Sequence, residues 1–300
     1  MQTGFGIPVS GSWATPANIR AICLRAESLG YSSLWSFQRT LFPGGDPIPM
    51  PYRSVHDPLA ISAYVAAITE RARISIAIVN LPFYAPIVLA KALTSIDVLS
   101  GGRLDAGLGL GWSADEFAAA GAPIERRGAR GDEFIECLRA IWTQDPVEFS
   151  GEFYTVPKSY VAPKPVQRPH PPILLGGSAE PALRRAGRLA EGWVSASRFP
   201  AAELPGAVRT VRAAAEDAGR DPEAIRIVIR AAVRIRAEDA DQQFTGTVEK
   251  IRRDFAEYAA AGAGEIFVDL NFDEQIGNPE ADPDESMRRA HAALEAFAPT

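Results

Sequence analysis

The stretch PIVLAKALTSIDVLSGGRLDAGLGLGW, Pro86 to Trp112, decides the fold. Pro86 stands at a first helical turn, where a missing N–H costs nothing. Leu89, Leu93, Ile96 and Leu99 then recur at helical spacing. Gly101 and Gly102 end that helix, because glycine accepts the left-handed geometry of a helix C-terminus. Leu104 to Leu108 reads as a short strand, and Gly107, Gly109 and Gly111 follow on alternate positions at its exit. Small residues there let a ligand come close to the backbone. Helix, strand and glycine-rich exit form the unit of an α/β protein whose ligand lies where strands end.

The same unit recurs on both sides. Phe5 to Val9 reads as a first strand, and Thr15-Pro16 caps a helix whose buried stripe is Ile19, Ile22, Cys23, Ala26 and Leu29. Ser32 to Gln38 is a second strand. The loop from Arg39 to His56 is long and rich in Pro and Gly, as functional loops often are. Asp57-Pro58 opens a helix to about Thr69, and Arg73 to Asn80 is a third strand, apolar on both faces like a strand of a parallel sheet. Ser113 and Glu116 predict a reciprocal capping box at the start of the next helix. A further helix covers Arg130 to Thr143. Pro146 to Pro171 breaks the rhythm, with VEFSGEFYTV as a β-hairpin ahead of a proline-rich tail. Alternation then resumes. Strands are expected at Ile173–Leu175, Gly192–Ser195, Ile225–Ile235 and Glu265–Leu270, and helices at Glu180–Leu189, Ala202–Ala218, Val248–Ala260 and Glu285–Phe297. Eight strands, each followed by a helix, predict an α/β fold, a (β/α)8 TIM barrel, as one domain over 1–300 with an insertion at about 146–171.

Composition narrows the function. A net charge of −6 argues against non-specific nucleic-acid binding, and no apolar run suits a bilayer. MQTGFGIPVS carries no basic start or cleavage pattern, so a cytoplasmic protein is expected. Cys23 and Cys137 fall in helical patterns and read as core residues. His56, His170 and His291 lie far apart and form no ligand motif, so no metal is expected.

A barrel of this kind places its site at the C-terminal strand ends. There, Gly176, Gly177 and Ser178 leave a strand and lead into a helix, a geometry that aims backbone N–H groups and the helix dipole at an anion. The plain alternative is a glycine-rich turn. The GxGxG of Gly107, Gly109 and Gly111 lacks the spacing of a dinucleotide fingerprint. It reads instead as close packing against a planar ring, with Asp115 and Trp112 nearby. Arg39, beside Gln38 at the second strand's end, is a candidate to grip an anionic or carbonyl group, and His56 is a candidate proton donor. Trp13 and Trp112 are candidate walls of a substrate pocket. No serine sits in a nucleophile elbow, and neither cysteine has an evident base. With so few reactive groups, a bound cofactor is expected to carry the chemistry.

These motifs together resemble the bacterial luciferase-like family of flavin- and deazaflavin-dependent oxidoreductases. The resemblance runs through VHDPLAISAYVAAIT, LAKALTSIDVLSGGRLDAGLGLGWSADEF, ERRGARGDEFIECLRAIWT, FSGEFY and PPILLGGSAEPALRRAGRLAEGW. SLWSFQRTLFP and the chain length are more similar to the F420 branch. The resemblance implies coenzyme F420 as cofactor, with FMN as the alternative, and a homodimer. It implies a non-prolyl cis peptide at Ala77–Ile78 backing the central ring, and Asn80 on the ring's polar edge or side chain. It also implies Gly176, Gly177 and Ser178 on the phosphate, and Gln38, Gly109 and Asp115 near the cofactor. Many relatives carry an acidic residue and a histidine where Gln38-Arg39 stands, and sugar-phosphate dehydrogenases of the branch carry glutamate where Trp112 stands. Their proton-transfer groups are therefore missing here. Three readings stay open: hydride transfer between F420 and a small organic substrate, an FMN-dependent monooxygenase fed reduced flavin by a partner reductase, and a non-catalytic flavin- or deazaflavin-binding barrel.

Overall fold

The computed structural model describes residues 1–41, 43–44 and 50–299. The Arg39–His56 loop is thus described at its two ends and at 43–44, while 42 and 45–49 lie outside the described residues. In chain order the elements are β1 (Gln2–Gly6), α1 (Pro16–Ser28), β2 (Ser33–Ser36), α2 (Pro58–Ile68), β3 (Arg73–Ile76), β4 (Val79–Asn80), α3 (Pro86–Leu99) and β5 (Leu104–Gly109). There follow α4 (Ala114–Ala119), α5 (Arg127–Thr143), β6 (Val147–Ser150), β7 (Thr155–Ser159), β8 (Ile173–Gly176), α6 (Glu180–Leu189) and β9 (Gly192–Val194). The chain ends with α7 (Leu204–Asp217), β10 (Arg226–Ala232), β11 (Arg234–Ile235), β12 (Thr245–Gly246), α8 (Val248–Ala260), β13 (Glu265–Asp269) and α9 (Pro283–Ala296).

The strands run β3-β2-β1-β13-β10-β9-β8-β5, all parallel, and β3 pairs with β5 through Ile74↔Leu104 and Ser75↔Asp105. That last pairing closes an eight-stranded parallel barrel with the helices outside it, a (β/α)8 TIM barrel. The antiparallel pair β6–β7 is the expected hairpin. Caps set several helix starts. The side chains of Thr15, Asp57, Thr247 and Asp282 each accept a first-turn backbone N–H, and proline follows three of the four.

Three expected strands are corrected. The ladder of β1 ends at Gly6, and Ile7 and Val9 continue as buried core beyond it. An apolar run does not distinguish a strand from a buried exit. The third strand is interrupted at Ala77–Ile78, whose peptide bond is cis. Between Ser75↔Asp105 and Val79↔Leu108 the chain uses one residue more than β5 does, a bulge. The strand expected at Ile225–Ile235 splits at Val233, and β11 pairs with β12 instead of the barrel.

The barrel interior is layered. Trp35 stacks on Phe267 at 4.5 Å between ring centroids, and Leu174, Val194, Val228, Ala77 and Ile78 pack around the pair. Below them, Asp105 takes Arg226 at 3.0 Å, and Arg73 lies against the same carboxylate. Above them, Arg230 pairs with Asp269 at 2.7 Å and faces the strand exits. No helix among the described residues is long and apolar enough to cross a membrane.

Candidate active site

A cavity of about 630 Å³ opens at the C-terminal strand ends. Gln38, Arg39, Ala77, Ile78, Asn80, Gly109, Trp112, Gly176, Gly177 and Ser178 all line it, from four different strand exits. The structure therefore brings together most of the residues expected at a cofactor site.

Glycine makes the floor possible. A Cβ on Gly107 would lie 1.5 Å from the Ile76 carbonyl oxygen, and one on Gly109 would lie 2.0 Å from Ile78 Cδ1. The small residues thus admit the chain's own bend, and Gly109 and Gly111 also line the cavity. Gln38 braces the bend's far side. Its Oε1 accepts the Asn80 N–H at 2.7 Å, and its Nε2 donates to Tyr84 Oη at 3.0 Å. Burial pushes the Tyr84 hydroxyl's pKa up, so it stays protonated. The Asn80 side chain is buried, faces the cavity and makes no hydrogen bond among the described residues.

The anion turn lies across the cavity. Gly177 has φ +120°, and a Cβ there would meet Ala182 Cβ at 2.7 Å. Trp193 Nε1 donates to the Gly177 carbonyl at 2.7 Å and holds the turn. The N–H groups of Ser178 and Ala179 have no protein acceptor among the described residues, and α6 begins just after them. Arg127 and Arg185 line the same end. Arg185 is tied to Asp132, whereas Arg127 is exposed and has no ion-pair partner among the described residues. Open amides, a helix N-terminus and a guanidinium suit a phosphate.

Arg39 lies on the wall in an unexpected state. Its Nη1 donates to Glu116 Oε2 at 2.8 Å, and Thr40 N donates to Oε1 at 2.7 Å. Both side chains of the pair are at most 5% exposed. The guanidinium is sandwiched between Tyr52, at 4.4 Å, and Trp112, at 4.7 Å. Its charge is committed to Glu116. The capping box is corrected too: Ser113 Oγ accepts the Glu116 N–H at 3.4 Å, but the Glu116 carboxylate turns to Arg39 instead of reaching back.

Three expected residues are not brought to the cavity. Trp13 is wholly buried in the core, with Nε1 donating to Ser10 O at 2.8 Å, so it offers no wall to a substrate. His56 is exposed, and its Nε2 bonds Ala14 O at 2.8 Å, which ties the long loop to the start of α1. Asp115 is exposed on the first turn of α4, where it complements the helix dipole. Burial raises the thiol pKa of Cys23 and pushes that of Cys137 up to about 11, so neither is a ready nucleophile. Among the described residues no group of His, Cys, Asp and Glu could hold a metal.

Arg230 was not singled out from sequence, and Glu116 only as a helix cap. Arg230 packs over the neighbouring rings of Phe37 and Phe272, at 4.6 and 4.4 Å, and its Nη1 reaches Ala77 O at 3.4 Å. The available signal was a lone arginine in the apolar run IVIRAAV. A charge there must find a partner inside the barrel.

Comparisons with known proteins find relatives along nearly the whole chain. Residues 2–298 match the luciferase-like monooxygenase family. An uncharacterised protein of Mycobacterium tuberculosis is 34% identical over 206 residues, 65% of this chain and 70% of its own length. The FMNH2-dependent dimethylsulfone monooxygenase of Pseudomonas putida is 34% identical over 199 residues, 65% of this chain and 53% of that one. Among solved structures, monooxygenase RslO1 from Streptomyces bottropensis has TM-score 0.80 and 22% identity, covering 99% of this chain and 98% of the other. An F420-dependent secondary alcohol dehydrogenase in complex with an F420–acetone adduct has TM-score 0.79 and 16% identity, covering 98% of each chain.

Proposed function

We propose a function from one premise: the chain belongs to the luciferase-like monooxygenase family. In this reading it is an oxidoreductase that binds coenzyme F420 and transfers a hydride between that deazaflavin and a small organic substrate. One observation carries the reading. The Ala77–Ile78 bend, the Asn80 side-chain amide and the Ser178 and Ala179 N–H groups converge on one cavity. These amides have no hydrogen-bond partner among the described residues, and the cavity's described lining residues form no nucleophile–base pair. A volume of about 630 Å³ lies within the usual range for cofactor sites.

When bound, F420 supplies hydride chemistry at C5 of its ring. The chain's residues orient and enclose it. Ala77 and Ile78 support one ring face, and Asn80 offers a donor and an acceptor to the polar edge. The Gly177–Ala179 turn takes the phosphate. Arg127, exposed and without a carboxylate partner among the described residues, would serve the glutamyl carboxylates that F420 carries beyond its phosphate and FMN lacks. Trp112, Tyr52 and Arg39 form a further part of the cavity wall.

A second reading has its own support. The dimethylsulfone enzyme, at 34% identity, is FMNH2-dependent. Under that reading the chain is a monooxygenase supplied with reduced flavin by a partner reductase. Equilibrium titration of the pure protein with F420 and with FMN, followed by fluorescence, separates the two. Saturable F420 binding, weakened by Arg127→Ala, supports hydride transfer. FMN binding without F420 binding, with oxygen consumed on addition of FMNH2, overturns it.

A further inference from the structure

We propose that an annex beside the candidate cofactor cavity binds the carboxylate of the substrate through Arg198 and Arg234, so that the substrate is an organic acid with an apolar body. This rests on the reading that the main cavity holds the redox cofactor.

The annex has a volume of about 490 Å³ and is walled by Pro51, Tyr52, Arg198, Arg234, Phe272 and Glu274. It meets the main cavity across Tyr52, Ala196 and Ser197, which line both. A smaller hollow of about 330 Å³ shares Ser197, Arg198 and Arg234 with it, so the two guanidiniums stand on the wall between them. A substrate held there would lie alongside the cofactor cavity.

The charge balance favours an anion. Arg39 and Arg230 each have a carboxylate within 2.8 Å, from Glu116 and Asp269. Arg236 takes Asp273 at 2.8 Å and Glu274 at 2.6 Å. Glu274 is therefore already engaged, and Arg234 reaches it only at 3.4 Å. Arg198 is exposed and has no ion-pair partner among the described residues. An excess of positive charge thus faces a concave surface in a chain whose net charge is −6. Low-dielectric walls concentrate such a field, and guanidinium groups match carboxylates with paired hydrogen bonds.

The walls favour an apolar body. Tyr52 and Phe272 meet edge to face, with centroids 5.7 Å apart at 86°, and present ring surface beside the arginines. Arg39 cannot serve as the anion grip expected from sequence, because Glu116 holds its charge. Arg198 and Arg234 take over that role in the annex.

The test uses three acids and their neutral amides: benzoate and benzamide, 3-phenylpropionate and its amide, indole-3-acetate and its amide. Affinities are measured by calorimetry on the full-length protein without cofactor. At least one acid should bind tenfold or more tighter than its amide. Arg198→Ala, at an exposed position, should bring acid and amide within about threefold while F420 and FMN affinities stay unchanged, and Arg198→Lys should restore part of the difference. Arg127→Ala should leave acid binding intact. If no acid exceeds its amide, or if the preference survives Arg198→Ala, the proposal is overturned. If the acids behave as expected but neither cofactor binds, the annex stands and the reading of the main cavity fails.

Discussion

Replacing Glu116 by alanine removes the partner of an almost fully buried guanidinium. Arg39 Nη1 loses its bond to Oε2, and Thr40 N loses its bond to Oε1. Breaking a buried pair by deleting one member costs about 3–5 kcal/mol, because the other charge stays desolvated. Two features hold the figure to its lower end. The rings of Tyr52 and Trp112 keep a cation–π sandwich around Arg39, and Arg39 lies on a cavity wall, so water can reach it once the pair is gone. The expected loss is therefore about 3 kcal/mol, or about 6 °C in melting temperature for a chain of this size. The assay is thermal and urea unfolding of the single variant and of the double variant Glu116→Ala/Arg39→Met. Removing both charges leaves neither member of this pair unpaired, so the double variant should recover about 1–2 kcal/mol. A single variant melting within about 1 °C of the parent, far below the range for a broken buried pair, would show that the pair is solvated, and a double variant no more stable than the single would refute the electrostatic account.

Three further outcomes are expected. Gly107→Ala should destabilise by about 2 kcal/mol or more in urea unfolding and exceed Gly109→Ala, because its Cβ meets the Ile76 backbone while that of residue 109 meets the flexible end of Ile78. Equal effects would contradict the packing described. Gly177→Ala combines a left-handed φ with a Cβ clash, so it should weaken cofactor binding at least tenfold with a melting change of only a few degrees, unless the turn does not touch the phosphate. The third concerns pH. Burial works to raise the pKa of Glu27, but the backbone N–H groups of Ala72, Arg71 and Glu70, together with the Arg71 charge, outweigh it and hold the carboxyl below its ordinary value. A depressed folded-state pKa contributes stability above the unfolded value that is lost as pH falls through the folded one. The stability gap between the parent and Glu27→Gln should thus be full at neutral pH and close on acidification. A gap that is constant with pH, measured by urea unfolding, would exclude a charge contribution.

Much of the site's scaffold was legible because short-range physics writes it. Helix starts at Pro16 and Pro58 follow from an acceptor side chain beside a proline. The anion turn follows from two glycines between a strand and a helix. The side chains' roles were less legible. Asp115 and Glu116 are neighbours with similar chemistry, yet one faces solvent and the other is buried against Arg39. Trp13 and Trp112 both follow strands, yet one is wholly buried and the other is 69% exposed.

From its order of residues alone, this chain could be read as eight strand–helix units with their ligand at the strand exits, because helical and strand periodicity, caps and glycine breaks act within a few residues of one another. Only the tertiary structure decided which charges neutralise each other and which are left to meet a ligand. Arg39 finds Glu116 and Arg230 finds Asp269 across long stretches of chain, while Arg127 and Arg198 find none among the described residues. The reason is that ion pairing and burial depend on distance in space and on desolvation, and barrel closure brings together groups that no local pattern relates.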